Sequence, residues 1–91
     1  MIIVVTVTQS SCMAPNTYSG ITADGGTIFA RYRFGHLSVR IQPPGVDDGM
    51  DGASGKSILE LEHGDQYAAY IEYSELRWVT RHLVEWPEAC L

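Results

Sequence analysis

Basic side chains are scarce in this chain. Six Lys and Arg, only one of them a lysine, stand against 11 Asp and Glu in 91 residues, a net charge of −5. That shortage argues against a general nucleic-acid binder, which needs a basic footprint, and against docking on anionic lipid. Long apolar runs are missing too: none approaches the ~18 residues of a membrane span. Cysteine is limited to Cys12 and Cys90, near opposite ends, which make no disulfide framework and read as free thiols in a reducing cytosol. The opening MIIVVTVT has no basic segment, and its apolar run is too short for a signal peptide, so the expected location is the cytoplasm. No CxxC, HExxH, Walker loop, GxGxxG or internal repeat is present. Apolar residues make up 45% of the chain, enough for one domain over 1–91.

Charge is unevenly placed. Residues 1–23 carry none. The stretch 24–45 sets Asp24 against Arg31, Arg33 and Arg40. Residues 46–65 then hold Asp47, Asp48, Asp51, Glu60, Glu62 and Asp65 against Lys56 alone, so one short segment carries a charge equal to the total.

The pattern of apolar residues predicts an α+β fold: a curved antiparallel sheet of five to six strands with one C-terminal helix packed on one face. Ile2–Thr8 is β-branched almost throughout and reads as a strand buried on both faces. Tyr18–Ala23 reads as a short strand, and Asp24-Gly25-Gly26 as a turn. Thr27–Phe34 and Leu37–Gln42 both alternate. A two-residue Gly35-His36 loop would pair Phe34 with Leu37, Tyr32 with Val39 and Ala30 with Ile41 on one face. The other face would then set Arg33 against Ser38, Arg31 against Arg40 and Phe29 against Gln42. Residues 43–57 form a 15-residue acidic, Gly-rich loop, and loops of that length tend to be functional or disordered. Ile58–His63 and Gln66–Tyr73 read as a second hairpin around Gly64-Asp65. Ser74 reads as an N-cap, and Leu76, Val79 and Leu83 recur at helical spacing up to Trp86, where Pro87 ends the helix.

The chemistry in this pattern is sparse. Arg31, Arg33 and Arg40 share one face and read either as a small-anion site or as charges neutralised by Glu60 and Glu62. Asp47-Asp48-Gly49-Met50-Asp51-Gly52 shares the start of a calcium loop, but Gly49 and Ile58 stand where ligands are required, so no metal is expected. His36, His63 and His82 read as surface histidines without convergent ligands. No paired carboxylates or serine elbow point to an enzyme, and no cofactor is expected. Phe29, Trp78, Trp86, Tyr67 and Tyr73 fall on faces read as exposed. Trp78 lies off the Leu76/Val79/Leu83 stripe, as an interface anchor or as part of a second core.

These features point to a binding protein that uses Asp47, Asp48, Asp51, Glu60, Glu62, Asp65 and Trp78 against a larger protein or nucleoprotein complex with a basic surface. It would act as a monomer or homodimer, with no direct contact to nucleic acid or membrane. A concentrated acidic patch can imitate a phosphate row and occupy a basic groove. The other readings are an assembly protein joined through sheet edges and a small enzyme or metal protein with a scattered site. In size, acidity and the segment Asp47/Asp48/Asp51/Glu60/Glu62/Asp65, the chain resembles the small single-domain proteins made by phages, among them anti-CRISPR inhibitors. That resemblance carries over no motif and no site residue. It implies stoichiometric blockade of a nucleic-acid-binding complex without catalysis or cofactor.

Overall fold

Seven elements follow one another along the chain: β1 (Ile2–Ser11), β2 (Asn16–Thr22), β3 (Thr27–Arg33), β4 (His36–Gln42), β5 (Lys56–Glu62), α1 (Tyr73–Val79) and β6 (Val84–Glu85). They come from a computed structural model that describes residues 1–11 (Ser11 in its backbone only), 16–44, 55–65, 67–68 and 70–90. The expectations that fall on Cys12, Asp47, Asp48 and Asp51 lie outside the described residues. The strands form one curled, half-barrel sheet in the order β5-β4-β3-β2-β1-β6. All neighbours are antiparallel except β6, which runs parallel to β1, so the sheet is mixed rather than purely antiparallel. No helix among the described residues is long and apolar enough to cross a membrane.

β1 is buried on one face, not two. Val4 pairs with Thr22 and Thr6 with Ile21, which leaves Val5 as an extra, bulged residue. The bulge shifts the alternation by one. Val4 and Val7, three apart, therefore both reach the core, while Ile3 and Val5 are about half exposed.

In the central hairpin the predicted faces hold but the register does not. Tyr32 pairs with Leu37, Ala30 with Val39 and Ile28 with Ile41. The two loop residues are Phe34 and Gly35, with φ of 51° and 80°. Two successive positive φ values suit a type I′ turn, whose twist matches the flanking strands. Phe34 thus leaves the ladder for the turn. Slipping a hairpin by a whole pair preserves which side each residue faces. Arg31 now stands opposite Ser38, Arg33 opposite His36 and Arg40 opposite Phe29, so the repulsive Arg31–Arg40 pair does not form.

The second hairpin is not made. β5 pairs with β4 instead, Leu61 against Leu37 and Leu59 against Val39, which brings two apolar rows together and gives β4 its second neighbour. The residues after β5 bend away at Gly64 (φ 93°), and the Asp65 carboxylate accepts the Tyr67 N–H at 2.8 Å. Their backbone groups find other partners. Ala68 O accepts from Gly35 N, Ile71 N donates to Asn16 Oδ1 at 3.1 Å, and Ile71 O accepts the Tyr18 hydroxyl at 2.7 Å. Burial drives the Tyr18 phenol's pKa well above its ordinary value, so it stays a donor.

The helix is shorter than the periodicity suggests. It starts from Glu72, with no side-chain cap from Ser74, and ends with Thr80 as C-cap. The Thr80 hydroxyl donates to Leu76 O at 2.7 Å and accepts Trp86 Nε1–H at 2.7 Å. This link turns the chain back, and Val84 and Trp86 enter the core beside Leu76. Trp86 is buried rather than exposed, its ring edge-on to Tyr73 at 6.4 Å.

Candidate functional site

Alternation along β5 decides where its charges go. Leu59 and Leu61 face inward against Val39 and Leu37, so Glu60 and Glu62 stand on the outer face opposite Ser38 and His36. The His36 ring lies between the two carboxylates. Nδ1 is 2.7 Å from Glu62 Oε1 and Nε2 is 3.2 Å from Glu60 Oε1. Hydrogen bonding to Glu62, then to Glu60, raises the His36 pKa above 6.5, the ordinary imidazole value. Across the β3–β4 ladder His36 is paired with Arg33.

A pKa raised in the folded state stabilises the fold fully below the ordinary imidazole value of about 6.5 and is lost as pH rises through the folded value. Thermal unfolding followed from pH 6 upward should therefore show a falling midpoint in the parent chain and a flatter profile in His36→Gln. The imidazole is well exposed, so solvent screening limits the difference to under about 1 kcal/mol. Identical pH profiles would mean that His36 does not clasp β5.

The acidic surface continues past β5. Asp65, Glu72 and Glu75 are all exposed. His63, whose carbonyl accepts the Tyr32 hydroxyl at 2.6 Å, reaches Glu75 with Nε2 to Oε2 at 3.8 Å. His63, Tyr70, Glu72, Ser74 and Glu75 line an open groove of about 380 Å³. One helical turn beyond Glu75 lies Trp78, 61% exposed, with the Arg81 guanidinium 3.7 Å above its ring. Arg81 is held there by donating to Trp78 O at 2.7 Å. A second groove, of about 420 Å³, runs beside Trp78 between Arg77, Arg81, Glu85 and Trp86. The predicted Glu60, Glu62, Asp65 and Trp78 are thus joined by Glu72, Glu75 and two histidines that sequence reasoning did not place. The missing signal was register: once β5 lies beside β4, His36 has to meet Glu62.

The three arginines occupy the same outer face one and two strands over. Arg31 and Arg33 are exposed on β3, and Arg40 is half-buried on β4. Arg33 lies over the Phe34 ring at 5.0 Å, and Arg40 Nη1 donates to Gly55 O at 3.5 Å. Among the described residues, the ion pairs of Glu60 and Glu62 go to His36 and not to these guanidinium groups. No group of three or more His, Cys, Asp and Glu among the described residues is placed to hold a metal ion. Cys90 is half-buried, and burial pushes its thiol pKa up, away from nucleophilic chemistry. No family model, no curated protein and no solved structure matches the chain.

Proposed function

We propose that this chain is a non-catalytic protein-binding module that engages a basic surface on a larger partner through its acidic flank. In doing so it occupies a groove that would otherwise take nucleic acid. One observation carries the reading. Among the described residues, Glu60, Glu62, Asp65, Glu72 and Glu75 are exposed along one continuous stretch, and residues 60–76 contain no Lys or Arg. Among the described residues, its carboxylates pair with the imidazoles of His36, which lies between Glu60 and Glu62, and of His63, which reaches Glu75. Such a field steers a cationic partner and weakens with salt. Trp78 adds a large, rigid contact at the end of the flank, the residue type that anchors interfaces. Asp47, Asp48 and Asp51 extend the same acidic segment in sequence.

Titration with a lysine-rich peptide at two salt concentrations tests this. Glu62→Gln with Glu72→Gln should weaken binding about ten-fold at low salt and flatten the salt dependence, as removal of two close charge contacts requires. Asp24→Asn with Glu88→Gln removes the same charge elsewhere and should leave both nearly unchanged. Equal losses in the two double variants would reduce the effect to net charge and sink the proposal.

A further inference from the structure

We propose that the outer face of β3 and β4 is a binding site for a phosphate-type oxyanion, centred on Arg31. The register builds the site. On its own face Arg31 has Ser38 directly opposite on β4 and Thr17 directly opposite on β2. Arg33 is two residues along the same strand, and Arg40 is the diagonal neighbour beyond Ser38. Directly opposed residues in a sheet lie ~5 Å apart and diagonal ones ~7–8 Å, well within the reach of guanidinium groups that converge on one tetrahedral anion. A guanidinium presents a planar fork of donors that matches phosphate oxygens two at a time. The half-buried Ser38 and Ser19 add hydroxyl donors at the edges.

Three like charges on neighbouring positions repel unless an anion joins them. The nearest carboxylate in the row is Glu60, on the far side of Ser38 from Arg31. Its oxygens are taken by His36 at 3.2 Å and by the Ser57 hydroxyl at 3.5 Å. The histidine clasp thus keeps the acid of β5 off the arginines; Arg33 lies over Phe34 and Arg40 donates to Gly55 O, so Arg31, at the centre, is the guanidinium first offered to a ligand. This site adjoins the Glu60 end of the acidic flank on the same face, but its test uses no cationic partner.

NMR of the arginine side-chain N–H groups, with ionic strength held constant by sodium chloride, tests it. Inorganic phosphate and phenyl phosphate are titrated separately. Saturable shifts confined to Arg31, Arg40 and the Ser38 amide are expected. Tighter binding of phenyl phosphate assigns the site to a phosphate ester, and tighter binding of inorganic phosphate to the free anion. Arg31→Gln should weaken binding about ten-fold or more, as loss of charge-assisted hydrogen bonds does, while Arg77→Gln on α1 leaves it unchanged. Shifts that grow linearly without saturating, or that respond alike to the two variants, would overturn the assignment.

Discussion

Gly35→Val is expected to lower the stability of the chain by about 3 kcal/mol, the sum of ~1–2 kcal/mol for a side chain at positive φ and ~1–3 kcal/mol for overpacking. Gly35 sits at φ 80°, and a Cβ there would lie 2.6 Å from the Asp65 carbonyl oxygen. The contact is with backbone, so no side chain can swing aside. Gly35 also holds the neighbouring segment, donating to Ala68 O at 3.1 Å while its own carbonyl accepts His63 N–H at 2.7 Å. The substitution therefore strains the turn and pushes away the chain that carries His63 and Asp65. Gly25 supplies the control. Its φ of 89° is similarly strained, but among the described residues a Cβ there meets only Pro44 at 3.6 Å, an ordinary contact. Gly25→Ala should cost only the conformational part, about 1 kcal/mol. Urea unfolding of both variants measures the difference. If Gly35→Val cost no more than Gly25→Ala, His63, Asp65 and Ala68 would not pack on the turn.

The two tryptophans should behave oppositely. Trp86→Ala removes a ring that is 4% exposed, packed on Tyr73 and bonded to the Thr80 hydroxyl, and should cost about 3–5 kcal/mol. Domains of this size hold ~0.05–0.15 kcal/mol per residue, so that loss is a large share of the whole. Trp86→Phe keeps most of the volume but strips an accepted hydrogen bond from a buried hydroxyl, and should cost about 1–3 kcal/mol. Trp78→Ala should stay within about 0.5 kcal/mol, since its indole is mostly in solvent under Arg81. Denaturation midpoints of the three variants are the measurement. Equal losses at positions 78 and 86 would contradict the arrangement of α1 and β6.

The sides of the central strands were legible because two separate alternations, Ile28/Ala30/Tyr32 and Leu37/Val39/Ile41, have to share a core. Their register was not. Loops at Phe34-Gly35 and at Gly35-His36 put the same strand residues inside apart from Phe34, whose positive φ places it in the turn. The partner of β5 was hidden for a different reason. Gly64-Asp65 is a credible turn, but Leu59 and Leu61 bury more against Val39 and Leu37 than against Ala68 and the exposed Tyr70. The helix stop at Thr80 depends on a hydroxyl bonding both Leu76 and Trp86, and no local pattern reports that. For the site, carboxylate positions could be read directly from the chain. Which of them meets a histidine depended on a non-local strand pairing.

The bonds from Asn16 and Tyr18 to Ile71 join residues 55 and 53 positions apart. β1 to β4 form a meander of neighbouring strands, whereas these bonds join parts of the chain far apart in sequence, the slow kind of contact in folding. Among the described residues between β5 and α1, these bonds tie down Ile71, while Gly35 bonds His63 and Ala68 and the Tyr32 hydroxyl bonds His63. Glu72 directly follows Ile71, so its place depends on contacts between distant parts of the chain, and a partner that read its carboxylate would also read whether folding is complete.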